Sequence, residues 1–465
     1  MGSTFIALPL SSGEAFLLRT TDESGREWAI LIDGGKKYGA GTRELATLLA
    51  EVSPTISRID IIVCTHSDSD HSQGLWYFAD DWYETGRTIG EFWLPGRWAN
   101  AMPGILTNPA AFVAKLMEGS REVALRLRDG SLGDESEFTG FVSRESLHRK
   151  LGEALADTED GGVASLVTVV EDGPEREDDP VASAFGLASE ELIALRREAE
   201  ETDDEVDLFE TSLTQARASA DGGRYLFSER LGAFFPRVSI EALEARAVFE
   251  EVAETAQAIQ KIATAAVEKG IRVRWFDFGE YAKTDMPSGG VEGVLQPLCS
   301  VEVIPDRAKL SRLSAFSLVT NLRLTRQNVE SIVFYRPETA SSPGVLFLGD
   351  SRLAHGIERP ERDFPIPFSA PVRRLVVTAA HHGSQNNDNA YAVLDKWLGA
   401  NHPVFVRNGG QSNQTLDEYI KRDDRRCAQC IQCHGGDWHQ WVAVSAPGNS
   451  WNWPPTANVC GKPKT

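Results

Sequence analysis

The chain has 465 residues, 42% of them apolar and 25% charged, which is enough for one large domain with insertions or for two or three domains. Its formal net charge of −21 argues against broad, non-specific binding of polyanions, although a local basic groove or a metal centre can still hold one phosphate. No stretch approaches the roughly 20 uncharged apolar residues that span a bilayer. The opening MGSTFIALPLSSGEAF lacks the basic and apolar regions of a secretory signal. A cytoplasmic location with reduced cysteines is therefore expected.

In chain order, Phe5–Leu8, Ala15–Arg19 and Ala29–Ile32 read as strands, and Asp33-Gly34-Gly35 as a turn. Residues 42–51 have helical spacing, with Leu45, Leu48 and Leu49 on one side. Residues 59–64 form a continuous apolar run, as expected of a strand covered on both faces. From residue 86 to 262 the character changes. Acidic runs such as DTEDGG, EDGPEREDDP and EETDDEVDLFE alternate with helical segments. This reads as a mostly helical acidic insertion with solvated faces, suited to a lid or to docking a protein partner. Its last helix is expected over 240–269, with Lys269-Gly270 as the stop.

Strands are then expected over 271–275, 301–304, 316–324, 332–335, 345–348, 375–378 and 404–406, with helices over 390–398 and 415–421. Strand-rich blocks separated by helices, in two similar halves, imply an α/β sandwich of two facing sheets with helices outside. The expected organisation is 1–85 and 263–425 as the two halves of the fold, 86–262 as the insertion, and 426–465 as a Cys- and His-rich tail.

The chemistry is concentrated in three places. His66, Asp68, Asp70 and His71 follow a buried strand and precede Gly74 and an apolar helix. In an extended turn alternate side chains face the same way, so His66 and Asp68 can reach one metal ion, while Asp70 and His71 can reach a second. Mixed imidazole and carboxylate ligands suit zinc, manganese or iron, and more carboxylate favours a harder ion such as manganese. Further on, Val345–Leu348 leads into Gly349-Asp350-Ser351, and Leu375–Thr378 leads to His381-His382-Gly383-Ser384. Rigid strand ends are where functional side chains are held in place.

The series D-G-G, T-H-x-D-x-D-H, G-D and H-H-G-S resembles the metallo-β-lactamase superfamily, and most of all its branch containing the hydrolase domain of the competence DNA-uptake channel protein. The resemblance covers roughly residues 5–80 and 265–420. It implies an αββα sandwich in which His66 and Asp68 hold one metal, Asp70 and His71 the other, Asp350 bridges and His381 completes a site. His382 then contacts substrate or lies in the second sphere, and the roles within this pair can be reversed. Asp33 is a supporting carboxylate, and residues 317–324 take the place of the strand before Gly-Asp.

Three departures from the superfamily pattern stand out. Asp68 replaces a common histidine, no histidine lies between His148 and His355, and Asn413 and Gln414 stand where the branch tends to carry His-Pro. The implied activity is metal-dependent hydrolysis by a metal-bound hydroxide, at a two-zinc or manganese site. In that reading Asp70 accepts a proton, and Ser384 and the backbone around Gly383 contact the substrate oxygen. Phosphodiester is the first substrate class. Lactone, thioester or small-ester hydrolysis is the alternative, and a non-enzymatic partner-binding module or an iron-dependent redox member are the others. Finally, Cys427, Cys430, His434 and Cys460, with Cys433 and His439 nearby, have the residue types of a small structural zinc site, though reduced unligated cysteines fit equally.

Overall fold

Apolar runs without alternation become strands buried on both faces. The computed structural model describes residues 3–10, 12–36, 45–128, 167–169, 182, 184–185, 187–201, 207–217, 240–305, 313–324, 330–339, 343–354, 364, 375–384, 387–399, 403–408, 417–428 and 442–446. Its strands are β1 (Ser3–Ala7), β2 (Phe16–Thr21), β3 (Glu27–Ile32), β4 (Arg58–Val63), β5 (Thr88–Pro95), β6 (Val167–Val169), β7 (Arg272–Asp277), β8 (Gln296–Pro297), β9 (Val301–Pro305), β10 (Phe334–Arg336), β11 (Gly344–Phe347), β12 (Leu375–Thr378), β13 (Val404–Asn408), β14 (Arg425–Ala428) and β15 (Val442–Ala446). They form two mixed sheets, ordered β15-β1-β2-β3-β4-β5-β7-β9-β6 and β14-β13-β12-β11-β10-β8.

The alternation that the sequence hides is visible in the packing. Phe5, Phe16, Ile30, Ile32, Ile61, Val63, Trp93 and Phe276 of the first sheet share one apolar cluster with Phe334, Val345, Phe347, Val376 and Val406 of the second. Ring pairs such as Phe5–Phe347 at 6.1 Å and Trp93–Phe334 at 5.4 Å join the two sheets directly. Residues of opposite parity, among them Leu17, Leu31, Ile62, Leu346 and Val377, lie in a second cluster with helical residues Leu48, Trp82, Leu116, Ile262, Tyr391 and Leu394. At about 25 cal/mol per Å² of apolar surface, burial on both faces stabilises these strands.

The observed architecture is thus mixed α/β, as expected. Among the described residues, no helix is long and apolar enough to cross a membrane.

Residues 316–324 depart from expectation: Ala315–Leu324 is a helix, not a strand. Its β-branched pair Val319-Thr320 suggests a strand, but Ser314 caps the first turn by accepting from Ser317 N at 3.0 Å. The helix lies so close to helix Pro109–Arg128 that a Cβ on Gly119 would overlap the Ala315 carbonyl. Tertiary packing overrides the local preference.

Three boundaries also look different in space. β5 begins at Thr88, inside the stretch taken as the insertion, yet pairs in parallel with β4 on one side and β7 on the other. The long helix Ile240–Glu268, at the insertion's end, lies in the same apolar cluster as Ile62 and Phe92. Its Thr255 hydroxyl donates to Ser67 Oγ at 3.4 Å, beside His66. The tail supplies edge strands: β14 pairs with β13, and β15 pairs with β1 in the register Ser3↔Ala446.

Candidate metal centre

β3 runs parallel to β4, and β11 runs parallel to β12. Asp33 follows β3, His66 follows β4, Asp350 follows β11 and His381-His382 follow β12, so the groups converge at the carboxyl ends of parallel strands. In open α/β sheets this is where ligands bind.

Two glycine-bearing turns lock together beneath the site. Gly34 N donates to the His71 carbonyl at 2.7 Å, and Gly74 N to the Gly35 carbonyl at 2.8 Å. A Cβ on Gly74 would overlap the Gly34 carbonyl oxygen, so this approach requires glycine. Asp33, with φ +58°, is thereby turned into the interior. Its Oδ1 accepts from Thr65 N at 2.7 Å, and its Oδ2 accepts from Thr65 Oγ1 and lies against His71 Nδ1, both at 2.8 Å. The Thr65 hydroxyl has one proton and gives it to Asp33, so at 3.0 Å it accepts from His66 Nδ1. Both imidazoles therefore hold a proton on Nδ1 and turn Nε2 toward the centre.

The Nε2 atoms meet other electron-rich atoms. His71 Nε2 and His382 Nε2 are 3.2 Å apart. His382 Nε2 is 3.1 Å from Asp70 Oδ2 and 3.9 Å from Asp350 Oδ1, and His71 Nε2 is 3.1 Å from Asp350 Oδ1. On the other side, His66 Nε2 is 3.6 Å from Asp350 Oδ2 and 3.9 Å from Asp68 Oδ2, while His381 Nε2 is 3.5 Å from Asp350 Oδ2. His66 Nε2 is buried without a hydrogen-bond partner, which is costly unless something fills the role. Donor atoms on one ion at about 2.0–2.2 Å stand about 3–3.6 Å apart, the separation found for most of these pairs. Two overlapping groups, Glu14–His71–His382 and His66–His71–Asp350, each bring their donor atoms within 4.8 Å of one another.

Electrostatics point the same way. Burial opposes charge on His71, but Asp350 and Asp33 outweigh it and raise its pKa well above the imidazole range. His382, likewise buried, is pushed up to about 10 by Glu14 and Asp70. Asp350 is held well below the carboxylate range despite burial, by His71 and His381. Around the four imidazoles His66, His71, His381 and His382 stand the five carboxylates Glu14, Asp33, Asp68, Asp70 and Asp350. The cluster is an electrostatic trap for positive charge, whether protons or cations.

The six ligand candidates read from the sequence, together with His382, are thus brought together, His381 and His382 on opposite sides of Asp350. The backbone there is unusual, with His381 and His382 both left-handed at φ 49° and 54°. Asp68 occupies the N-cap position of the short helix Ser69–Ser72 but makes no capping bond through its side chain. The mouth is formed by Asp70 and His381, whose side chains are 36% and 30% exposed. Ser384 is half-buried beside it, and its backbone N–H is committed to the His381 carbonyl at 2.7 Å. That N–H therefore closes the turn and does not face a substrate.

Glu14 is the group that sequence reading misses. Its carboxylate is fully buried, with Oε1 3.2 Å from His382 Nδ1. The one available signal was a charged residue set directly against the apolar start of β2. Of the tail residues, Cys427 is buried on β14, whereas Cys430, Cys433, His434, His439 and Cys460 lie outside the described residues, as do His148, His355, Asn413 and Gln414.

The chain matches no protein-family model and no curated protein.

Proposed function

We propose that the protein is a metal-dependent hydrolase with the αββα architecture of the metallo-β-lactamase type, acting first on phosphodiesters. The observation that carries this reading is the convergence of Nε2 atoms and carboxylate oxygens from separate strand ends, with His71 and His382 facing each other at 3.2 Å. Lone pairs that converge in a buried site need a proton or a metal ion between them, and the number of nitrogen and carboxylate donors gathered here favours a metal ion. His66, Asp68, His381 and Asp350 Oδ2 would hold one ion, and Asp70, His71, His382 and Asp350 Oδ1 the second. Zinc fits the imidazole content and manganese the carboxylate content.

When bound, such ions supply a lowered pKa for water and polarisation of the substrate oxygen. The protein's residues do the rest. Asp33 and Thr65 fix the imidazole orientations. Asp70, at the mouth, takes a proton from the attacking water, and Ser384 with the turn around Gly383 borders the substrate. The preference for phosphodiesters rests on the sequence resemblance. The charge of −21 disfavours long polyanions and points to a short or small-molecule phosphodiester.

Purified protein is expected to carry about one to two equivalents of zinc or manganese. It is also expected to hydrolyse bis-p-nitrophenyl phosphate, with activity lost in Asp70→Ala/Asp350→Ala. Absence of metal together with unchanged stability in chelator would sink the reading. Activity on lactones or thioesters alone would replace phosphodiester with that class.

A further inference from the structure

The two imidazoles that face each other at the centre are each backed by a buried carboxylate. Asp33 stands behind His71, and Glu14 stands behind His382. We propose that Glu14 is a positioning residue for His382, accepting its Nδ1 proton and thereby directing the Nε2 lone pair toward Asp70, His71 and Asp350. This rests on the metal-centre reading above and adds to it a group from the far end of the chain.

Glu14 is gripped from several directions. Its backbone N donates to the Asp70 carbonyl at 3.0 Å. Gly13 before it is left-handed, at φ +84°, and a Cβ there would overlap that same carbonyl. The carbonyl of Ala15, the next residue, accepts from Leu8 N at 3.0 Å and from Asn408 Nδ2 at 3.3 Å, tying the turn to β13 of the second sheet. The backbone that carries this carboxylate is therefore set in place by contacts that do not depend on His382.

It also faces the correct edge of the ring. Oε1 is 3.2 Å from Nδ1, whereas Nε2 is the atom 3.1 Å from Asp70 Oδ2 and 3.2 Å from His71 Nε2. A carboxylate behind a ligating histidine fixes its tautomer and raises its basicity, and losing one typically weakens metal affinity about 10–100-fold. Holding a carboxylate in a dry interior is costly unless it is paired, and the Nδ1 edge of His382 is the partner that Glu14 faces.

The test uses the full chain with Glu14→Gln, which keeps an acceptor oxygen, and Glu14→Leu, which removes it. Zinc affinity is measured by competition with a chromogenic chelator, and the His382 Nδ1–H signal, whose shift reports a hydrogen bond to residue 14, is read by ¹H–¹⁵N NMR. Glu14→Leu is expected to weaken one equivalent about 10–100-fold, to spare the other, and to lose the downfield, hydrogen-bonded position of that signal. Glu14→Gln should move the signal less and lose less affinity. Wild-type affinity with an unmoved signal in both variants overturns the proposal, as does equal weakening of both equivalents. If Glu14→Leu does not fold, an unmoved signal with wild-type affinity in Glu14→Gln overturns it, and a moved signal with reduced affinity for one equivalent supports it. If wild-type protein binds no zinc, the metal-centre reading fails, while the Nδ1–H signal of the metal-free protein still judges Glu14.

Discussion

His381 and His382 occupy consecutive left-handed backbone positions, a conformation that costs a non-glycine residue about 1–3 kcal/mol. The strain is held by His381 N donating to the Gly349 carbonyl at 3.0 Å and by Ser384 N closing back on His381. Its return is the splitting of adjacent side chains across Asp350. His381→Gly is therefore expected to melt in chelator at or above the wild-type temperature while losing the hydrolysis proposed above, and a clear fall in melting temperature would count against stored strain at this position. By contrast, Gly74→Ala places a Cβ into the Gly34 carbonyl and should cost at least about 2 kcal/mol in a denaturant titration. At this scale the sequence was informative wherever chemistry is local. His66 to His71 announce themselves within six positions, and Asp350 and His381 by the strands that precede them. Glu14 did not, because an isolated glutamate near the start of the chain acquires meaning only through a histidine near its end.

Elements are joined through buried charge as well as apolar packing. Arg97, on the 3₁₀ turn Gly96–Asn100 after β5, makes two bonds to Glu330, at 2.6 and 3.0 Å, and reaches Asn321 Oδ1 on helix Ala315–Leu324 at 3.4 Å. Both partners are nearly buried, with side chains 14% and 10% exposed. Glu330 precedes Ser331, whose Oγ accepts from Asp350 N at 3.1 Å. Arg97→Met leaves a buried carboxylate without its cation and is expected to cost about 3–5 kcal/mol. Adding Glu330→Leu should recover most of that loss; a double variant as unstable as the single one would place the cost in packing rather than charge. The strands on either side of this pair were readable from their apolar runs. The helix between them was not, since Val319 and Thr320 favour a strand until Ser314 and the close approach of Gly119 are taken into account.

The molecule as a whole is drawn together by its end segments. β15 covers β1, which would otherwise be an exposed edge with unpaired backbone groups. A chain ending before Val442 is expected to melt at a lower temperature and to aggregate, more strongly as salt rises. At low salt the charge of −21 keeps molecules apart, and that repulsion fades as the Debye length falls from about 8 Å at 0.15 M salt to about 3 Å at 1 M. Equal stability and solubility in the truncated chain would show that this strand pairing carries no weight. The two-sheet plan followed from the succession of apolar runs, but the pairing of Ser3 with Ala446 left no trace in either segment alone.

The centre draws on Glu14, Asp33, His66 to His71, Asp350 and His381-His382, so its parts enter the folding chain at widely separated times. During synthesis the first six carboxylate- and imidazole-bearing positions emerge long before their partners, with a sheet whose interior strand β7 has yet to be made. Contacts of such sequence separation form slowly. The assembled cluster therefore belongs to the last stage of folding, and a nascent chain released before His382 displays the leading histidine motif without the groups that complete it.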